Sequence, residues 1–202
     1  MRGPPAPAAA DTDEALMQAY GAGDAGAFDA LYARHKGGTY RYLLRHCRDA
    51  AVADELFQDV WMNAIRVRAT YAPTAKFTTW IYTLAHNRLV DHWRATGHVK
   101  VASIDDDDDG ESRSLVESIP AAANDEPEVR ALSGELGAQL RAALESLPDE
   151  QRNAFLLQYE GGLSLAEIAE VTGVGTETVK SRLRYATSKL RSALGGVREA
   201  WK

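Results

Sequence analysis

Residues Leu163 to Arg191, LSLAEIAEVTGVGTETVKSRLRYATSKLR, carry the side chains best suited to chemistry on a charged polymer. Lys180, Arg182, Arg184, Lys189 and Arg191 oppose one acid, Glu177, while Val179, Leu183, Ala186 and Leu190 keep helical spacing beside them. A helix with that face fits a DNA major groove, with phosphates met by its cations. The elements that must position it lie just upstream. Ser164 and Glu167 form a capping box, which satisfies orphan backbone N–H groups and fixes a helix start. Leu165, Ile168 and Ala169 give that first helix one apolar stripe. Gly173 stands where the chain reverses and a left-handed φ is needed, and Thr176 can cap the second helix. The spacing predicts a helix-turn-helix. The plain alternative is a helical hairpin whose basic face is merely solvated.

Two further segments hold candidate binding residues. In ADELFQDVWMNAIR, the residues Asp54, Glu55, Gln58 and Asp59 form a polar strip opposite an apolar stripe of Leu56 and Val60. In KFTTWIYTLAHNRLVDHWR, the aromatics Phe77, Trp80, Tyr82 and Trp93 interleave with Lys76, Asn87, Arg88, Arg94 and threonines. Aromatics beside cations suit single-stranded bases, each stacked base contributing about 1–3 kcal/mol. The competing reading is that these rings are core, and Trp80 is expected to be partly so.

The chain has 202 residues, 45% of them hydrophobic and 26% charged, an ordinary soluble composition. A single cysteine, Cys47, excludes an internal disulfide and fits a reducing compartment. No apolar run approaches the roughly 18 residues of a membrane span, and MRGPPAPAAAD has no leucine-rich core of a signal peptide. A flexible leader and a cytoplasmic location are expected. The net charge of −6 is unevenly spread. Residues 97–128 hold ten acids, Asp105 to Asp109 among them, against Lys100 and Arg113, whereas residues 175–202 hold seven Lys/Arg against Glu177 and Glu199. Phosphates respond to that distribution, not to the total.

Adjacent aspartates repel and bury no surface, so residues 97–127 read as an acidic flexible linker. On either side lie helical patterns without strand alternation. The expectation is an all-α chain of two small domains, 11–96 and 128–195, after a leader 1–10 and before a tail 196–202. In the first domain, helices are expected to carry Leu16, Met17 and Tyr20; then Phe28, Leu31 and Tyr32; then Val52, Leu56, Val60 and Ala64; and last a run from about Thr78 to Ala95. In the second, Leu136, Leu140 and Leu144 make a stripe, Pro148 sits in a first turn, Phe155, Leu156 and Tyr159 supply core, and Gly161-Gly162 closes the helix.

Taken together, ADELFQDVW, FTTWIYTLAHNRLVDHWR and SLPDEQRNAFLLQYEGGLSLAEIAEVTGVGTETVKSRL resemble regions two and four of the extracytoplasmic-function (ECF) sigma factors of the sigma-70 family. That resemblance covers all but the leader. It implies a transcription initiation factor that binds core RNA polymerase, recognises two promoter elements and melts DNA. By the resemblance, Asp54, Glu55, Gln58 and Asp59 dock on the polymerase. Lys76, Phe77, Thr78, Thr79, Trp80 and Tyr82, with Asn87, Arg88, Asp91 and Arg94, bind and melt the minus-ten element. Thr176, Thr178, Lys180, Ser181, Arg182, Arg184 and Tyr185 read the minus-thirty-five element. The chain departs from the family where relatives often carry Arg, at Tyr185 and Thr187, and an Arg–guanine contact is not one Tyr can replace. The implied partners are core polymerase, promoter DNA and an anti-sigma factor, with a monomeric free state, no small-molecule substrate and no membrane insertion.

Two rival readings differ in class. A stand-alone helix-turn-helix regulator explains residues 163–191 but leaves the α-helical acid strip and the KFTTW segment without a role. An enzyme or metal protein would need a constellation that His35, His46, Cys47, His86, His92 and His98 do not form; there is no HExxH, paired CxxC, P-loop or GxSxG. No cofactor and no metal are expected.

Overall fold

Several helices begin where a short oxygen-bearing side chain accepts from the first free backbone N–H groups. Thr12 accepts from Ala15 N at 3.3 Å, Asp24 from Gly26 N at 2.9 Å and Asp49 from Ala51 N at 2.8 Å. The structure, a computed structural model, describes residues 12–97 and 137–199. Its elements are α1 (Asp13–Gly21), α2 (Ala25–Cys47), α3 (Ala50–Arg66), a 3-10 turn (Arg68–Thr70) and α4 (Phe77–Ala95). They are followed by the helical residues 137–145 (α5), α6 (Asp149–Gly161), α7 (Leu165–Thr172) and α8 (Thr176–Glu199). No strand occurs among the described residues, so the fold is all-α. The leader 1–10, Leu136 and the acidic run Asp105 to Asp109 lie outside the described residues; α8 runs into the expected tail as far as Glu199.

In the first half, α2 packs against α1, α3 and α4. Leu31, Tyr42, Leu43, Leu56, Ile81 and Leu89 lose all contact with solvent there. Each such side chain stabilises the fold by about 1.5–3 kcal/mol relative to an exposed one. In the second half, α8 lies on α6 and α7 through Val179, Leu183, Ala186 and Leu190, the stripe the spacing predicts. The two halves are two regions of sequence but share one apolar cluster. Helix α6 packs on α2 and α4, and α7 packs on α4.

That shared interface accounts for several departures from the sequence reading. Tyr159, expected in the core, is 47% exposed, with its ring stacked on Phe155 and lying under the Arg45 guanidinium. Helix α6 turns Leu156 and Leu157 inward instead, together with Arg152 and Asn153, which are 3% and 5% exposed. Leu165 lies at the solvent margin of α7, which buries Ile168 and Val171. Pro148 precedes α6 as its cap residue, one position before the expected first turn.

Candidate nucleic-acid interface

The helix-turn-helix forms as its local chemistry dictates. Glu167 N donates to Ser164 Oγ at 3.4 Å, and Ser164 N donates to Glu167 Oε2 at 2.8 Å, closing the capping box. Hydrogen bonds from the Ser164 side chain and backbone, aided by Lys76, hold the Glu167 carboxyl down at about 2. Gly173 takes φ +69° and donates to Ala169 O at 2.9 Å, which ends α7 in the left-handed conformation. Thr176 is the first residue of α8, not its cap; the Gly175 carbonyl accepts the first bond, from Val179 N at 3.1 Å. With Val179 and Leu183 turned inward, Thr176, Thr178, Lys180 and Ser181 are exposed, and Arg182, Arg184 and Tyr185 are half-buried. The Arg184 guanidinium lies over the Tyr185 ring at 5.0 Å and donates to its hydroxyl at 3.3 Å. The Tyr185 ring thus supports the guanidinium of its neighbour.

Helix α4 starts without a side-chain cap from Lys76. Its first N–H, that of Phe77, is instead satisfied by Glu14 of α1, whose Oε1 accepts at 2.7 Å. No sequence spacing announces a cap from 63 residues away. Along α4, Lys76, Asn87, Asp91 and Arg94 are exposed and Thr78, Trp80 and Arg88 are half-buried. Phe77, Thr79 and Tyr82, each 1% exposed, are not the open stacking surface the aromatic pattern suggests. The Phe77 ring lies against His35 of α2 and the Tyr82 ring against Tyr42 of α2 and Gly161 of α6, and Trp80 rests against Phe77 and Tyr71 at 5.5 and 5.1 Å between ring centres. Of the rings of this segment, Trp80 and Trp93 are half-buried and retain solvent access. Asp91 and Arg94 pair across one turn at 3.7 Å.

All four residues of the acid strip on α3, Asp54, Glu55, Gln58 and Asp59, are exposed. The strip is joined to α4 through Arg88, whose Nε donates to Asp59 Oδ2 at 2.7 Å and whose Nη2 lies 3.8 Å from Glu55 Oε1. Asp54 accepts from the Tyr40 hydroxyl and raises its pKa. Among the described residues no group of His, Cys, Asp and Glu could hold a metal ion, and no helix is long and apolar enough to cross a membrane. His46 is a core residue of α2, edge-on to Tyr42 and Trp93.

A helix-turn-helix with a basic outer helix, behind a helical domain with an acid strip and a cation-bearing helix, defines a two-region transcription factor. Comparison with known proteins makes the class particular. Residues 31–99 match Sigma-70 region 2, and residues 137–190 match Sigma-70, region 4. The chain is 31% identical over 183 residues to the ECF RNA polymerase sigma factor SigK of Mycolicibacterium vanbaalenii, covering 90% of this chain and 89% of that one. It is 30% identical over 179 residues to the RNA polymerase sigma factor CarQ of Myxococcus xanthus, covering 89% and 95%. Among solved structures, CnrH in complex with the cytosolic domain of CnrY superposes with a TM-score of 0.62 at 20% identity, over 92% of this chain and 99% of that one. The sigma factor RpoE in complex with the anti-sigma factor NepR from Bartonella quintana gives 0.60 at 19%, over 83% and 96%. The chain belongs to the sigma-70 family, as an ECF RNA polymerase sigma factor that directs the polymerase to promoters. The stand-alone regulator reading falls with the region 2 match, which gives the first domain its role.

Proposed function

We propose that initiation is divided among three faces, within domains spanning about residues 11–96 and 128–195. Asp54, Glu55, Gln58 and Asp59 dock on core RNA polymerase. Lys76, Thr78, Trp80, Asn87, Arg88, Asp91 and Arg94 engage the minus-ten element, with Phe77, Thr79 and Tyr82 as the floor beneath them. Thr176, Thr178, Lys180, Ser181, Arg182, Arg184 and Tyr185 read the minus-thirty-five element. The observation that carries this division is the exposure of the strip on α3 and of the charged faces of α4 and α8, each backed by a buried apolar stripe. Melting needs no nucleotide hydrolysis on this reading. Taking a base from the stack costs a few kcal/mol, which a preformed ring and polar neighbours must offset. Trp80 with Asn87 and Arg88 on the same helix supplies both kinds of group.

We further propose an anti-sigma partner, since RpoE, which shares this fold, was solved with the anti-sigma factor NepR, and CnrH, which also shares it, with the cytosolic domain of CnrY. The free chain is proposed to be a monomer, which light scattering checks against 22.0 kDa. The deciding experiment mixes the chain with core polymerase and fragmented source DNA and sequences the 5′ ends of transcripts. Starts that share two spaced upstream motifs are expected, absent with core alone. Asp59→Lys should abolish core binding with the fold intact, and unchanged affinity would clear the strip of its role. Arg184→Ala should weaken the upstream element by about 1–3 kcal/mol in a sequence-dependent way. A loss uniform across upstream sequences would reduce Arg184 to a phosphate contact.

A further inference from the structure

The second half of α2 repeats arginine at the spacing that sets one side chain above the next. Arg41, Arg45 and Arg48, the last at the C-cap of α2, follow one another at helical steps with Leu44 between them, so they share one face. Helix α5 brings Leu140, Arg141 and Leu144 opposite that face, and the two helices enclose a cavity of about 400 Å³. That is the size of a small-molecule site. Four guanidinium groups therefore meet around an apolar lining.

Their donors are mostly uncommitted. Each guanidinium carries five N–H groups. Arg41 Nε donates to Oε2 of Glu160, an acid of α6 only 2% exposed, at 2.7 Å, and Arg45 Nη1 lies 2.9 Å from its Oε1. Arg48 Nη2 donates to the Glu145 carbonyl oxygen at 3.0 Å. Arg141 makes no hydrogen bond or ion pair among the described residues. Arg48 adds an independent observation. It is held at φ 59°, in the left-handed region, and is the one non-glycine residue there among the described residues. Gly or Asn normally takes that place at a helix end, because a larger side chain is strained in it. Here the strained position carries an arginine that reaches across to α5 at the cavity.

We propose that this cavity is a binding site for a polyphosphate chain, free or carried by a nucleoside. Guanidinium forks match pairs of phosphate oxygens. Between Arg41 and Arg48 the axis of α2 advances about 10 Å, further than one phosphate reaches. A linked row of phosphates meets several of these arginines at once, and the leucines offer a base an apolar surface. An acidic peptide would instead bring backbone groups that this lining leaves unpaired.

The full chain is titrated calorimetrically with sodium tripolyphosphate, sodium orthophosphate and ATP in magnesium-free buffer. Tripolyphosphate should bind about tenfold tighter than orthophosphate, since it engages several guanidinium groups. It should also raise the melting temperature, as a ligand of the folded chain must. ATP binding tighter than tripolyphosphate assigns the site to nucleotides, and weaker binding assigns it to the free chain. Arg141→Ala removes a side chain that holds nothing else in place. It should weaken tripolyphosphate by about tenfold without lowering the melting temperature of the unliganded protein. Arg48→Gly suits the left-handed backbone and should weaken binding likewise. Unchanged binding in both variants would overturn the site, as would tripolyphosphate no tighter than orthophosphate. Binding lost in Lys180→Ala but kept in Arg141→Ala would move the anion to the exposed face of α8 and overturn it too.

Discussion

His86 is a buried base whose protonation acts on the stability of this structure. Its Nδ1 lies 3.3 Å from both Tyr42 Oη and Asn153 Nδ2, and an amide nitrogen can only donate, so the ring accepts there and keeps its proton on Nε2. Burial pushes His86 down to about 4, and burial, then the Arg152 and His86 charges, push neighbouring His46 well below the ordinary range. The groups facing this pair are Tyr42 and Arg48 from α2 and its cap, Trp93 from α4, and Asn153 and Arg152 with its partner Asp149 from α6. A base with a depressed folded pKa leaves the unfolded chain binding more protons, so stability rises with pH across the window from about 4 to 6.5. Acidification from pH 7 to 5 should therefore cost about 2 kcal/mol through His86. Urea melts at the two pH values measure this, and His86→Gln should shrink the difference while leaving the part that His46 contributes; an unchanged difference would place its origin elsewhere. The charged strips on α3 and α8 were legible in the sequence because a charge opposite an apolar stripe has to face water. Phe77 and Tyr82 were not, since a ring between cations looks the same whether it waits for a base or for another helix. The partnership of His86 with Asn153 spans 67 residues and leaves no local trace.

At the scale of elements, what could be read was whatever a helix settles within three or four residues of itself. The cap residues Thr12, Asp24, Asp49 and Ser164 and the αL glycine Gly173 all stand where their types place them. Gly173 sets the angle between α7 and α8, and with it the direction in which the basic face of α8 points. A Cβ there meets no atom within 4 Å, so the whole penalty of Gly173→Ala is conformational, about 1–2 kcal/mol for a residue held at φ +69°. Gly173→Asn should recover part of it, because Asn tolerates that conformation. Chemical denaturation of the three proteins checks this order, and equal losses for Ala and Asn would show that φ is not the cause. Illegible at this scale was any element whose end is satisfied from afar. The start of α4 depends on Glu14, and the orientation of α6 on cations of α2. That is also why Tyr159 and Leu165 ended outside: α6 and α7 are oriented by a second surface, across the interface, which their own periodicity does not include.

For the whole molecule, the linker reading of residues 97–127 implied two domains that fold separately, whereas one apolar cluster runs through both. Sequence conceals this because the polar members of α6 that enter the interface, Arg152 and Asn153, are residue types that ordinarily stay in water. Their burial is tolerable only with partners in place: Asp149 for Arg152, and Tyr42 with His86 for Asn153. Removing region 4 from region 2 would strand those groups or hydrate them, and would expose Tyr82 and Leu163 together. Neither half therefore loses its structure without weakening the other, and the two should melt as one. Calorimetry of the wild type is expected to give a single transition whose calorimetric and van't Hoff enthalpies agree. Glu160→Lys removes the acid that binds the halves together and should split the transition in two, each with the smaller enthalpy of a smaller cooperative unit. Two transitions already present in the wild type would mean that the shared cluster contributes too little to couple the halves. A single transition retained in Glu160→Lys would shift the coupling to the apolar contacts of α6 with α2 and α4, where Leu156→Ala would then have to divide it.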